Sequence, residues 1–150
     1  MRTAIVDRVL DPTALLAEVA SPDSGASTLF VGTVRRLHEG REVTGIDYSA
    51  YRPMAERELA DVVAEACERY GTAHLVVEHR LGTLGLGEAS IVIAVSHARR
   101  ASAMGAQKFV IEQVKARVPI WKREHYADGS REWVDPTRAA VSDADAAGIP

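Results

Sequence analysis

The sequence has one cysteine, Cys67, and its aromatic residues make up only 5% of 150 residues. A single cysteine cannot form an internal disulfide and cannot by itself build a zinc or iron–sulfur site. The five histidines show no metal-ligand spacing with cysteine or carboxylates. We therefore expect no metal and no cofactor, and a single thiol fits the reducing cytoplasm.

Long apolar runs and an excess of positive charge are also absent. No stretch approaches the roughly 20 apolar residues that a membrane-spanning helix needs, and residues 1–7 lack the features of an export signal. The formal net charge is −3, whereas a general nucleic-acid-binding domain is normally basic. We expect no membrane and no nucleic-acid partner, and any anion site must be local.

The remaining composition is that of an ordinary globular protein, with 47% hydrophobic and 26% charged residues. This length suits one domain rather than two. Residues 1–134 are predicted to form that domain. Residues 135–150 are rich in alanine and aspartate, and we expect a flexible tail that orders only on a partner.

Hydrophobic patterning predicts an α+β fold. A short helix capped by Asp11 and two long helices over residues 53–70 and 101–118 have apolar residues at helical spacing. Strands are predicted at residues 27–34, 43–51, 73–80, 89–96 and 132–134. The first two of these strands are predicted to pair as a long hairpin, and the glycine-rich residues 81–88 to form a turn. The sheet is expected to be mainly antiparallel.

Basic residues are concentrated near the second long helix. Between residues 99 and 123 there is a single acidic residue, Glu112, and the basic ones are Arg99, Arg100, Lys108, Lys115, Arg117, Lys122 and Arg123. A local positive region on an acidic domain favours a compact anion such as a phosphate monoester. Lys108 and Arg117 are expected on a solvated helix face.

Arg100, Lys115 and Lys122 are stronger functional candidates. They lie at a strand end, at the border of the predicted apolar stripe and beside Trp121, respectively. That stripe is predicted to run through Met104, Ile111, Val114 and Val118, with Lys108 and Lys115 both at its border. No Gly-x-Ser-x-Gly motif is present. Any chemistry must therefore use charge and protonation, or the chain only binds.

Four blocks of sequence, in order along residues 25–134, carry a family resemblance. They fall at residues 25–35, 48–55, 79–88 and 114–134, and the most specific is Lys-x-x-x-Pro-x-Trp-Lys-x-Glu, which starts at Lys115. Together they resemble the large, catalytic subunit of molybdopterin synthase, the MoaE family. The resemblance implies an α/β hammerhead-like fold with two long helices.

The resemblance also implies a reaction and its partners. A small ubiquitin-like sulfur-carrier subunit would supply sulfur as a thiocarboxylate on its C-terminal Gly-Gly. Cyclic pyranopterin monophosphate would accept the sulfur and become the dithiolene molybdopterin, a step of molybdenum cofactor biosynthesis. The family enzymes form a homodimer within a heterotetramer, and they build each pocket across the dimer.

Site residues follow from the same resemblance. Lys115 and Lys122 would be the catalytic pair, and the substrate would be held by Thr33, Val34, Arg35, Arg99, Arg100, Arg123 and Glu124, in part through backbone groups. Guanidinium groups bind phosphate through paired hydrogen bonds, and a lysine ammonium can transfer a proton and stabilise a tetrahedral acyl intermediate.

Two alternatives stay open. The family commonly has histidine where this chain has Arg99, so a non-catalytic scaffold that keeps the small-subunit interface is the main alternative. A nucleic-acid-binding module that uses the basic helix and Trp121 is a weaker one, because the net charge speaks against it.

Overall fold

The computed structural model describes residues 1–134, and the predicted tail at residues 135–150 lies outside the described residues. The helices are α1 (Pro12–Glu18), α2 (Arg52–Tyr70) and α3 (Arg100–Arg117). The strands are β1 (Arg2–Val6), β2 (Ala26–Thr33), β3 (Leu37–His38), β4 (Arg41–Ala50), β5 (Leu75–Arg80), β6 (Gly82–Gly85), β7 (Ala89–His97), β8 (Ile120–Tyr126) and β9 (Arg131–Val134). The α+β fold with two long helices is confirmed.

Four strands form the first sheet, in the order β1-β5-β7-β2. The β1–β5 pair is parallel, while the β5–β7 and β2–β7 pairs are antiparallel. Helices α2 and α3 pack against one face of this sheet, and α1 packs against the other. Both faces of β5 and β7 are therefore buried, which explains why these strands are apolar without alternation.

The second sheet has the order β3-β4-β8-β9, and β6 also pairs with β4. All of its pairs are antiparallel, and residues 45–48 of β4 lie between β6 and β8. Its core cluster consists of Val34, Val43, Ile46, Leu84 and Tyr126. Antiparallel pairing predominates as predicted, but the strands are divided between two sheets.

The predicted hairpin between residues 27–34 and 43–51 is wrong. β2 pairs along its whole length with β7 in the first sheet, whereas β4 pairs with β6 and β8 in the second. The chain passes from one sheet to the other between Thr33 and Arg41, where the short β3 pairs with the start of β4. Residues 81–88 also differ from the predicted turn, because β6 occupies half of them before a turn at Gly87, whose φ is +78°.

The predictions for helices α1 and α2 are confirmed. The Asp11 carboxylate caps α1 by accepting a hydrogen bond from the Ala14 amide at 3.1 Å. Helix α2 buries the predicted apolar positions, and it ends at Gly71, whose left-handed φ of +68° suits glycine. Within residues 1–134, the helices are too short or too polar to cross a membrane.

Helix α3 is rotated relative to its predicted apolar stripe. Its buried residues are Ala103, Ala106, Val110 and Val114, while the Met104 side chain is 61% exposed. Small residues face the neighbouring elements because the helices approach closely, and a Cβ at Gly105 would lie 2.6 Å from the Tyr70 ring. Lys108 and Lys115 then lie about 130–150° from the buried stripe. Both are exposed, so their predicted place at its border is wrong.

Candidate functional site

Lys122 and Glu124 lie on one face of the second sheet. Side chains alternate along β8, so these two share a face and Arg123 lies on the opposite one. The register pairs Lys122 with Tyr48 and Glu124 with Ile46 on β4. The face that carries Lys122 and Glu124 is therefore the inner, partly apolar one.

The Glu124 carboxylate is the most buried charged group of this face, with a side chain only 2% exposed. The Tyr126 hydroxyl donates a hydrogen bond to Glu124 Oε2 at 2.7 Å. The other oxygen, Oε1, lies 3.7 Å from Lys122 Nζ and 4.0 Å from His38 Nδ1. A buried carboxylate is costly without partners, and here it has a hydrogen bond and a nearby ammonium.

Tyr48, which the strand register pairs with Lys122, contacts a second aromatic side chain. The ring of Tyr48 packs edge-to-face against His79, with 5.3 Å between ring centroids. Burial lowers the pKa of His79 to about 4, although its hydrogen bond to the Arg80 carbonyl acts in the opposite direction. Burial also raises the pKa of Tyr48 above its usual value. Both groups are therefore neutral near pH 7 and add no charge beside the ammonium.

Arg123 belongs to an ion-pair network on the outer face. Its guanidinium donates to Asp47 Oδ2 from Nη2 at 2.7 Å and from Nε at 3.1 Å. His125 Nε2 lies 2.8 Å from the same oxygen, and the Thr83 hydroxyl donates to Oδ1 at 2.8 Å. The guanidinium carbon is 5.3 Å from the centroid of the Trp133 ring. The structure therefore does not bring the Arg123 side chain together with Lys122 and Glu124.

Replacing Asp47 by asparagine is expected to remove a pH-dependent part of the stability. Burial raises the pKa of Asp47, but hydrogen bonds from Arg123, His125 and Thr83 outweigh it and lower the pKa to about 2. A lowered pKa means that this stabilisation is present above about pH 4 and is lost as the pH falls through 2. The expected loss in unfolding free energy is about 2 kcal/mol at pH 7.

Urea unfolding of wild type and Asp47→Asn at several pH values measures this effect. The difference between the two proteins should shrink towards zero near pH 2. Asp61→Asn, at an exposed position on α2, serves as the control and should leave the stability unchanged. A difference between wild type and Asp47→Asn that is the same at every pH would contradict the assignment.

Thr33, Val34 and Arg35 lead from the first sheet to the second. Thr33 ends β2 after a bulge and is exposed, as is Arg35. Val34 is 3% exposed and packs in the second-sheet core cluster with Tyr126. The Val34 amide donates to the Glu88 carbonyl at 3.1 Å, and its carbonyl accepts from the Gly87 amide at 2.8 Å. The buried Val34 thus fixes the positions of its two exposed neighbours, Thr33 and Arg35.

Lys115 and Lys122 lie on either side of the junction between α3 and β8. Lys115 is exposed in the last turn of α3, and Lys122 is half-buried early in β8. Between them, Val118 and Ile120 are buried in the main core. The core thus anchors the junction and holds both lysines near one end of the helix.

Arg99 and Arg100 lie at the opposite end of α3. Arg99 is its N-cap, and the first turn has neither a side-chain cap nor an acidic residue. Two exposed guanidinium groups beside the positive end of a helix dipole favour an anion. At 1.5 Å per residue, Arg100 and Lys115 are separated by about 22 Å along the helix. Within one copy of the chain, α3 therefore keeps Arg100 and Lys115 far apart.

Several basic residues of the segment at residues 99–123 form ion pairs with carboxylates of the same chain. Arg117 forms ion pairs with Glu58, at 3.0 Å, and with Glu65. Lys108 Nζ is 3.9 Å from Glu112, one turn along α3. Lys108 was predicted on a solvated helix face and is exposed there, whereas Arg117 is half-buried by its ion pairs. These ion pairs reduce the positive charge that the segment presents to a ligand.

Three residues near Glu124 were not predicted from the sequence. One is Tyr126, which is two residues from Glu124 on the same strand. Side chains two residues apart on a strand share a face, so this spacing was a signal that could have placed Tyr126 beside Glu124. Tyr48 and His38 reach this face through strand pairing, which local sequence does not reveal. Across residues 1–134, no group of histidine, cysteine and carboxylate side chains is arranged to hold a metal ion.

Comparisons with known proteins agree on one family. Residues 5–117 match the model of the MoaE protein family, a match that includes Lys115 and ends before Lys122. The molybdopterin synthase catalytic subunit of Thermoplasma volcanium is 43% identical over 129 residues, which cover 86% of this chain and 94% of that relative.

Solved structures show the same fold. The crystal structure of molybdopterin synthase from Staphylococcus aureus has a TM-score of 0.81 at 32% identity, and it covers 87% of this chain and 94% of that one. A chain of the complex of subunits 1 and 2 of molybdopterin-converting factor from Helicobacter pylori has a TM-score of 0.72 at 24% identity, with coverage of 88% and 89%. This second likeness concerns the fold alone.

Proposed function

The chain belongs to the MoaE protein family, as the four sequence blocks predicted, and on that premise we propose that it is the catalytic subunit of a molybdopterin synthase. The proposed reaction moves sulfur from the thiocarboxylated C-terminal Gly-Gly of a small ubiquitin-like subunit to cyclic pyranopterin monophosphate. The main structural support is the Lys122–Glu124 pair beside the end of α3 that bears Lys115.

Lys115 and Lys122 are the proposed catalytic pair. The thiocarboxylate sulfur forms a C–S bond to a pterin carbon as a C–O bond to that carbon breaks, and the oxygen leaves as water or stays on the opened phosphate ester. Water then adds to the acyl carbon and the acyl C–S bond breaks, so the sulfur stays on the pterin and the small subunit leaves as a carboxylate. Each small subunit delivers one sulfur, and the dithiolene needs two. Lysine ammonium groups suit this chemistry because they stabilise the anionic tetrahedral intermediate and exchange protons with it.

The substrate's phosphate is proposed to lie among Arg35, Arg99 and Arg100, since guanidinium groups bind phosphate through paired hydrogen bonds. Thr33, Val34 and Glu124 would shape the rest of the pocket. The Arg123 guanidinium is engaged by Asp47, so Arg123 would contribute through its backbone and through the position of β8. No cofactor or metal is needed for these steps.

A homodimer is proposed because a second copy of the chain would supply the arginines that one copy holds at the far end of α3. Arg99 and Arg100 of one protomer would serve the pocket that holds Lys115 and Lys122 of its neighbour. Each protomer would bind one small subunit, which gives a heterotetramer. The Helicobacter pylori chain with the same fold comes from a complex of two subunits.

Residues 1–134 are proposed to act as one domain. We place the assembly in the cytoplasm, where the lone Cys67 thiol stays reduced. Burial raises the pKa of Cys67, so the thiol is protonated and does not act as a nucleophile.

Reconstitution tests the proposal. The purified chain, a thiocarboxylated small subunit and cyclic pyranopterin monophosphate should together yield molybdopterin, measured as its fluorescent oxidation product. The same mixture with the carboxylate form of the small subunit should yield none. A stable complex without product would favour the scaffold alternative with Arg99 in place of histidine. No complex and no product would contradict the proposal.

A further inference from the structure

The two oxygens of the Glu124 carboxylate have different partners. Oε2 accepts the Tyr126 hydroxyl at 2.7 Å, while Oε1 lies 3.7 Å from Lys122 Nζ. With a side chain only 2% exposed, the carboxylate has little water to satisfy it. The hydrogen bond from Tyr126 therefore decides which oxygen faces the ammonium and where it lies.

The Tyr126 hydroxyl is a permanent donor in this contact. Burial raises the pKa of Tyr126 to about 12, and its hydrogen bond to the Glu124 carboxylate acts in the same direction. The hydroxyl is protonated at any pH at which the chain would be assayed. The phenol therefore donates and the Glu124 oxygen accepts, as the distance of 2.7 Å between them requires.

Contacts outside the site hold the Tyr126 ring in place. The Arg41 guanidinium carbon lies 3.4 Å from the ring centroid, and Arg41 is itself tied to Glu132 at 2.9 Å and to Ser130 Oγ at 3.0 Å. The Tyr126 amide donates to the Ser130 carbonyl at 2.9 Å. Contacts with the ring face and with the backbone thus fix the Tyr126 side chain, and they fix the position of its hydroxyl with it.

The β3–β4 hairpin joins these contacts. Its two-residue turn has positive φ at Glu39 and Gly40, and the register pairs His38 with Arg41. His38 Nδ1 lies 4.0 Å from Glu124 Oε1, while Arg41 covers the Tyr126 ring. One short hairpin therefore closes over both the carboxylate and the phenol that holds it.

We propose that Tyr126 is a positioning residue, whose hydroxyl fixes the Glu124 carboxylate so that its second oxygen orients the Lys122 ammonium for sulfur transfer. This role rests on the proposed function, since Lys122 acts in that reaction. Tyr126 would not touch the substrate. Its removal should therefore slow turnover without weakening the binding of either the pterin or the small subunit.

Tyr126→Phe tests this role because it removes the hydroxyl and keeps the buried ring. In the reconstituted assay with the full chain, kcat should fall about tenfold, while KM for the pterin and Kd for the small subunit stay within about twofold. Tyr70→Phe, which changes a half-buried tyrosine between α2 and α3, is the matched control and should leave kcat, KM and Kd unchanged.

A double-mutant cycle shows whether Tyr126 acts through Glu124. Single-turnover rates are compared for Glu124→Gln with and without Tyr126→Phe. If the role is correct, adding Tyr126→Phe to Glu124→Gln costs much less than tenfold. Equal losses in both backgrounds, an unchanged kcat, or a loss confined to KM would each overturn it. Absence of product from wild type would overturn the proposed function itself.

Arg41→Met gives a second route if Tyr126→Phe does not fold. Arg41 is partly exposed, so its replacement leaves the core intact, but it removes the guanidinium that covers the ring. A smaller loss of kcat, about threefold, is expected with KM unchanged. Arg57→Met, at an exposed position on α2, is the control. Equal kcat values for these two variants would also overturn the positioning role.

Discussion

Replacing Lys115 by alanine should lower molybdopterin formation by about 10²–10⁴-fold, the range expected when a group that transfers protons in the transition state is lost. The side chain is exposed in the last turn of α3, so its removal leaves the core intact. The chain should fold, dimerise and bind the small subunit as wild type does. The loss should therefore appear in kcat and not in assembly.

Lys108→Ala is a matched control for this experiment. Lys108 is two turns earlier on the same exposed side of α3, and its contact is an ion pair with Glu112. It should leave turnover within about twofold of wild type. Single-turnover product formation with a preassembled complex measures the effect directly. Turnover of Lys115→Ala near the wild-type rate would remove Lys115 from the catalytic pair.

Mixed dimers should recover activity from two inactive parents. One parent carries Lys115→Ala, and the other carries both Arg99→Ala and Arg100→Ala, which should cost at least about 30-fold because two guanidinium groups that bind the phosphate are lost. Arg100 and Lys115 of one protomer are about 22 Å apart along α3. If each pocket combines the lysines of one protomer with the arginines of its neighbour, the mixed dimer has one intact pocket.

Two different affinity tags isolate the mixed dimer from both parents. Its turnover should reach about half of the wild-type value per dimer, as the two-fold symmetry requires. A mixed dimer of Lys115→Ala and Lys122→Ala is the control, because both of its pockets lack a lysine, and it should stay inactive. A lysine–arginine mixed dimer that is no more active than its parents would place all of these groups in one protomer.

Local signals in the sequence predicted the three helices and five of the nine strands, but not β8, which carries Lys122 and Glu124. Asp11 followed by proline marks the start of α1, and the apolar spacing of α2 identifies its buried face. The apolar stripe of α3 was misjudged because its buried residues include Ala103 and Ala106, whose small side chains allow close packing but give a weak hydrophobic signal. Larger Met104 is on the solvent side instead.

Strand pairing was the main feature that local sequence could not predict. Only the short β3 separates β2 from β4 along the chain, but β2 pairs with β7 and β4 pairs with β6 and β8. Alternation along a strand shows which side chains share a face and does not show which strand lies beside it. Contacts that depend on pairing, such as those of His38 and Tyr48, were therefore missed.

For the candidate site, the sequence indicated which residues to consider, but it did not show on which face of the fold their side chains lie. The motif that starts at Lys115 contains Lys122 and Glu124, which the structure places beside each other. It also includes Arg123, whose side chain lies on the opposite face because neighbouring residues of a strand point in opposite directions. The separation of Arg99 and Arg100 from the lysines followed only once the limits of α3 were known.

The most direct measurement of the central claim follows the sulfur itself. A small subunit whose thiocarboxylate carries a heavy sulfur isotope is mixed with the chain and cyclic pyranopterin monophosphate in unlabelled buffer, and the product is analysed by mass spectrometry. We expect both dithiolene sulfurs to carry the label and two small subunits to become carboxylates for each product formed. Product without label, or small-subunit hydrolysis without labelled product, would contradict sulfur transfer by this chain.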